Sequence, residues 1–198
     1  GYTSVNGLGL GNLGGRVEDF AIDSRDNKHW WAAVATGGVW ETLNAGAKWH
    51  SIGETLPSQT SGALIYTRAG GGTLIVGTGD PAYGGSSISG LGAYWTRDNG
   101  KHWIKSKGVP NGTISFSGAG DPKVPTTVYL ATGKGLFRSI DAGKSFKNVV
   151  LPTTCTDTRK PICFFANMVT DVVVNADGRV LADVGWRAGN KKNAQGLP

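Results

Sequence analysis

The chain has 198 residues, enough for one ordinary domain with a sizeable core. Glycine is high at 32 residues and charged residues are low at 17%, but the glycine has no period of three, which excludes collagen. The formal charge of +6 is scattered, with no run of five or six basic residues, so it reads as a solvated surface rather than a nucleic-acid footprint, and no run of 18 apolar residues exists to span a membrane.

Residues 1–15 are a glycine-rich lead-in. Gly9, Gly11 and Gly14 satisfy the spacing of a dinucleotide fingerprint, but that motif must come after a strand and open a helix. The next stretch here is RVEDFAIDSR, which alternates at period two and predicts a strand over Val17–Asp23. Trp30–Ala35 is nearly continuous and apolar, as for a strand buried on both faces. Thr36-Gly37-Gly38 turns the chain, and Val39–Thr42 and Trp49–Ile52 complete a first four-strand unit over about 16–53.

A second unit, about 61–107, repeats that order with Ala63–Thr67, Thr73–Gly77, Ala93–Thr96 and His102–Lys105. Its turn, Thr78-Gly79-Asp80, runs into a longer insertion, PAYGGSSISGLG. A third unit, about 112–150, has Thr113–Ser117, Thr127–Ala131, Gly135–Ser139 and Ser145–Val149. The segment 151–165 comes next, with Cys155 and Cys163 separated by seven residues that include Pro161. A disulfide across so short a loop stabilises by roughly 2–3 kcal/mol, and a reduced pair fits the spacing equally. Two cysteines with no nearby histidine make a poor zinc site, so neither a metal nor a cofactor is expected. Val169–Asn175 and Arg179–Gly185 give the first half of a fourth unit, about 168–198, with no third strand after them.

The units share a short motif. Residues 42–49 spell TLNAGAKW, 96–103 TRDNGKHW and 139–146 SIDAGKSF. The template is Ser or Thr (Thr42, Thr96, Ser139), Asp or Asn (Asn44, Asp98, Asp141), Gly (Gly46, Gly100, Gly143) and an aromatic residue (Trp49, Trp103, Phe146). Glycine permits φ > 0, the Asp or Asn accepts turn N–H groups, the hydroxyl joins that network, and the ring is expected to bury beneath the turn. These acids are therefore expected to be structural rather than catalytic. A period near 40–50 residues marks a repeat architecture.

The motif resembles the Asp-box, or BNR repeat, of sialidases, xyloglucanase-type glycosidases and sortilin-type domains. The stretch GNLGGRVEDFAIDSRDNKHWWAAVATGGVWETLNAGAKW is similar to an opening blade of the sortilin-like and xyloglucanase-like BNR proteins. The resemblance implies an all-β chain of four-stranded antiparallel β-propeller blades, about three and a half of them, belonging to a larger ring, seven-bladed if two copies close it. The partner completing that ring would be another chain or the remainder of a precursor. The start at Gly1 with Met168 as the only methionine fits a processed product or fragment. The resemblance also implies secretion, and with it a Cys155–Cys163 disulfide.

For activity the resemblance is less specific, because propellers host many functions. In the xyloglucanase-like relatives a catalytic Asp precedes the Gly-Gly turn, and alignment on Gly37-Gly38 puts Ala35 there. Arg16, Arg68 and Arg187 show no spacing that identifies a sialidase triad. No catalytic residue is assigned, and His29, His50 and His102 read as ordinary surface or strand positions. Arg16, Asp80, Tyr83, Trp186 and Arg187 remain as candidate ligand contacts, with Trp186 and Arg187 suited to stacking on a sugar and bonding its hydroxyls. The expectation is a secreted, non-catalytic propeller module that binds protein or glycan or builds an extracellular assembly. The alternative is a glycoside-hydrolase fragment whose acids lie mostly elsewhere.

Overall fold

The computed structural model of the protein describes residues 16–81, 87–151 and 167–185. The first sheet comprises β1 (Val17–Ile22), β2 (Trp30–Val34), β3 (Gly38–Thr42) and β4 (His50–Ser51), antiparallel and in chain order. The second has β5 (Ser61–Thr67), β6 (Thr73–Thr78), β7 (Ala93–Thr96) and β8 (Ile104–Lys105). The third has β9 (Ser115–Gly120), β10 (Val128–Thr132), β11 (Gly135–Ser139) and β12 (Lys147–Asn148). A two-stranded sheet of β13 (Val169–Val174) and β14 (Val180–Val184) comes last. Among the described residues the helical content is one 3₁₀ turn at Ala69–Gly71, and no helix is long and apolar enough to cross a membrane.

The sheets stack face to face in an arc. β1 contacts β5, β5 contacts β9, and β9 contacts β13, so the first strands stand side by side along one line. Each core lies between two sheets. Trp31, Ala33 and Val39 of the first sheet meet Leu64, Leu74, Val76 and Tyr94 of the second. Ile65, Ile75 and Ala93 of the second meet Val128, Leu130 and Phe137 of the third. Tyr129, Ala131 and Leu136 of the third meet Val169 and Val172 of the fourth. Period-two alternation produces this directly: in β6, Leu74 and Val76 point one way and Ile75 the other. The result is an all-β propeller arc of three full blades and half of a fourth, as the repeat implies.

Element order matches the sequence reading, and the differences lie at strand ends. The fourth strand of each complete blade pairs over two residues rather than the four or five expected, because it forms the outer edge. β9 lies further along the chain than expected, over SFSGAG, where glycines supply no apolar alternation to read. Each first strand carries a register irregularity, between Val17 and Asp19, Ser61 and Ala63, and Val169 and Asp171, and in β9 opposite Ala131 and Thr132. After Gly79 the Asp80 and Ile88 backbones pair through bonds of 2.8 and 3.1 Å.

The three motif turns are near copies. The Thr42, Thr96 and Ser139 hydroxyls donate to the side-chain oxygen of Asn44, Asp98 and Asp141 at 2.7–2.9 Å. The same hydroxyls accept the N–H of Gly46, Gly100 and Gly143 at 2.9–3.1 Å. The acid or amide oxygen then accepts the N–H of Lys48, His102 and Ser145 at 2.8–3.0 Å. Donation by His102 holds the Asp98 carboxyl down at about 2. Burial pushes the Asp141 carboxyl up, but bonds from Ser145 and Ser139 outweigh it and hold the group below its ordinary value. The aromatic position varies: Phe146 is buried and Trp103 packs on the inter-blade core. Trp49, expected to be buried, stays half-exposed beside Phe20, with ring centroids 6.3 Å apart, because no blade of the described residues covers it.

Substitutions in these turns should separate their hydrogen bonds from their packing. Asp141→Asn should cost under about 1 kcal/mol in a urea titration, since Asn44 fills the same role, whereas Asp141→Ala should cost about 2–3 kcal/mol by stranding three donors. A Cβ on Gly100 would collide with the Ile52 carbonyl of the preceding blade, but on Gly46 it would meet nothing closer than 3.7 Å. Both glycines have positive φ, so Gly46→Ala should lose about 1–2 kcal/mol from strain alone and Gly100→Ala clearly more.

Candidate functional site

The structure joins two of the five candidate contacts. Arg16 forms ion pairs with Glu18 and with Asp80, tying the start of the first blade to the insertion of the second. The Arg16 guanidinium is raised above its ordinary value, chiefly through donation to Glu18. Asp80 is buried, so its carboxylate is engaged with the fold. Tyr83, Trp186, Arg187 and the Cys155–Cys163 pair lie outside the described residues. Ala35 is buried, and its carbonyl accepts the Ser61 N–H at 3.2 Å, a backbone joint between blades.

A second group carries no sequence motif of its own. A cavity of about 340 Å³ opens between blades 1 and 2, beside the motif turns. On one wall, the Arg25 guanidinium grips Asp23 in bidentate fashion at 2.8 and 3.0 Å and donates to the Gly71 carbonyl at 3.2 Å. The Tyr66 hydroxyl donates to Asp23 at 2.8 Å and accepts from Arg25. Arg25 therefore holds the Asp23 carboxyl far below its usual range, while burial pushes Tyr66 up to about 12.

On the other wall, Glu41 is buried as a carboxylate acceptor. His29 Nε2 lies 2.5 Å from one of its oxygens, and His50 Nε2 lies 2.6 Å from the other. Asn99 Nδ2 donates to Glu41 at 2.7 Å and its Oδ1 accepts the Trp31 indole N–H at 3.3 Å. Asn99 sits in the second motif turn at φ 58°, a conformation asparagine tolerates and which aims its amide back at blade 1. Trp31 stacks on Tyr66, 4.8 Å away, and meets the tilted His29 ring at 4.0 Å. His29 and His50 both meet a buried acid, His50 from an exposed position on strand β4. Strand pairing brings them together: His29 immediately precedes β2, Glu41 lies in β3 paired with Trp31 of β2, and His50 lies opposite Glu41 in the register.

A third feature lies on the innermost strands. Asp19 accepts the N–H of Phe20 and of Leu64, both at 2.8 Å, so it bridges the first strands of two blades. Asp171 repeats the local half of this, accepting Val172 N–H at 2.8 Å. Burial raises the Asp19 carboxyl to about 6, with the Asp171 charge adding to the rise and the two N–H bonds opposing it. Among the described residues no cluster of three or more His, Cys, Asp or Glu is arranged to hold a metal.

The Asp19 environment makes stability fall with pH. Its folded value lies above the ordinary carboxyl value of 3.8, so the folded state binds more protons between about 4 and 6. Its contribution should decline as pH rises through that window and then level off. Across pH 4–7 the urea midpoint of the wild type should fall more steeply than that of Asp19→Asn; identical slopes would refute the assignment.

Neither a family model nor a curated protein matches the sequence. Solved structures do match in shape. An ancestral GH74 enzyme superposes with a TM-score of 0.65 at 18% identity, over 87% of this chain and 22% of that one. The GH74 xyloglucanase from Xanthomonas campestris gives 0.57 at 14% identity, over 85% and 27%. The extracellular domain of a putative hybrid two-component system from B. thetaiotaomicron gives 0.56 at 15% identity, over 88% and 20%. The chain therefore spans about a fifth to a quarter of the length of these three chains, and the likeness establishes a fold shared with glycoside-hydrolase propellers.

Proposed function

We propose that this chain is the binding arc of an extracellular, non-catalytic β-propeller, and that it takes a neutral sugar residue in the cavity between blades 1 and 2. The supporting observation is the state of the carboxylates around that cavity. Asp23 is locked by Arg25 and Tyr66, and Glu41 by His29, His50 and Asn99. Both carboxylates line the cavity as hydrogen-bond acceptors suited to sugar hydroxyls, and Arg25 and Asn99 add planar donors. The volume sits at the small end of the usual ligand range of roughly 300–1,000 Å³, enough for one sugar. Ala35 at the position of the relatives' catalytic acid agrees with binding without turnover.

A glycoside-hydrolase arc is the second reading. Its support is the Asp19 carboxyl near 6 and the Asp171 charge acting on it, a pair of acids on innermost strands. The same GH74 likeness serves both readings at the level of fold.

Calorimetry against a panel of neutral oligosaccharides separates them. Binding should be weakened roughly fivefold by Tyr66→Phe, about 1 kcal/mol for one lost hydroxyl, and left unchanged by Lys105→Ala on the outer edge of blade 2. A reducing-end assay on the same panel should show no turnover. Turnover that Asp19→Asn abolishes would overturn the binding reading in favour of the enzyme.

A further inference from the structure

Positive charge is scattered along the sequence, but the fold gathers it. Residues 97–149 hold nine Lys and Arg against three Asp, a net of +6, so the whole formal charge of the chain falls between the second motif turn and the end of blade 3. The three acids are committed elsewhere. Asp98 and Asp141 accept N–H groups of their own motif turns. Asp121, just past the innermost strand β9, accepts the N–H of Lys123 and of Val124 at 2.8 and 3.0 Å.

Four of the lysines meet where the outer edges of blades 2 and 3 join. Past β8, the Lys107 N–H donates to the Lys144 carbonyl at 2.9 Å and the Phe146 N–H donates to the Lys107 carbonyl at 2.8 Å, a parallel bridge that fixes the seam. In the link from blade 2 to blade 3, Lys105 Nζ donates to Asn111 Oδ1 at 2.7 Å and Lys134 Nζ donates to the Asn111 carbonyl at 2.9 Å, so two ammonium groups converge on one residue. Lys144 Nζ lies 5.7 Å from the centre of the Trp95 ring, and the Arg97 guanidinium lies 5.5 Å from it. All four lysines are exposed, and among the described residues none of them is paired with a carboxylate.

Ammonium groups brought together along a paired edge suit a line of negative charges. The rings at the seam decide among such partners. Trp95 is covered by Arg97 and Lys144, which leaves no stacking platform for unpaired bases. The helical content of the described residues is one 3₁₀ turn, so no helix is there to enter a duplex groove. A folded acidic protein would want an exposed aromatic anchor, but Trp95 and Phe146 are turned into the core between the blades. We infer that the seam between blades 2 and 3 binds an anionic polysaccharide, whose carboxylate or sulfate groups lie against Lys105, Lys107, Lys134 and Lys144. The inference is independent of the neutral-sugar reading, since that cavity lies between blades 1 and 2.

Calorimetry with dextran sulfate and with uncharged dextran of the same length tests it. Dextran sulfate should bind, and should weaken at least about tenfold between about 50 and about 200 mM salt, whereas dextran should show no salt-dependent binding. Lys107→Gln with Lys144→Gln should weaken dextran sulfate at least about fivefold. Lys28→Gln with Lys48→Gln removes the same charge from exposed positions of blade 1 and should cost less than about twofold. All four side chains lie outside the cores, so both double variants should keep their sheets, which circular dichroism checks. A wild type that fails to bind dextran sulfate at the lower salt would overturn the inference, as would equal losses in the two double variants or no loss in the first. An oligonucleotide, single-stranded or duplex, or polyglutamate that binds more tightly than dextran sulfate at equal charge concentration would overturn the polysaccharide in favour of that partner.

Discussion

Everything in this molecule depends on side chains alternating across the middle strand of each blade. A single sheet of four short strands has little interior of its own. Its apolar residues are sorted by the pleat into two sets, one for the blade before and one for the blade after. β10 shows the principle most plainly: Val128 and Leu130 serve the joint with blade 2, while Tyr129 and Ala131 serve the joint with blade 4. Stability is therefore a property of neighbours. A blade without one leaves a face such as that of Phe20 and Ile22 in water.

The motif turns add position rather than bulk. Each fixes the exit of a third strand with a hydroxyl, an acid or amide, and a glycine, and in blades 2 and 3 the glycine lies against the preceding blade at a distance that excludes any side chain. Ser106 Oγ donates to the Gly143 carbonyl at 2.6 Å, which pins the same joint from the other side. Asn99 extends the device into the cavity, where its amide links Trp31 of blade 1 to the Glu41 carboxylate. A turn whose first task is structural thus also shapes a polar wall that two blades share.

The fold is legible in the sequence because two local signals coincide. Alternating strands and a repeated glycine turn are both short-range patterns, so element order and blade count need no knowledge of contacts. Strand limits are harder where glycine erases the pattern, as in β9, and where edge position shortens pairing, as in β4, β8 and β12. The cavity is not legible. Glu41 and Asn99 lie 58 residues apart in the chain, and nothing local marks a histidine such as His29 whose ring will meet an acid on a neighbouring strand. Arg16 and Asp80 stand out individually, but their mutual pairing depends on how two blades meet.

Native-state hydrogen exchange across a denaturant series reads out where the cores lie. If they lie between blades, amides of β2, β6 and β10 should converge on one opening free energy with one denaturant slope, because no blade can open without exposing its neighbours. Three separate isotherms, one for each sheet, would mean that every blade is stabilised from within, contrary to shared inter-blade cores.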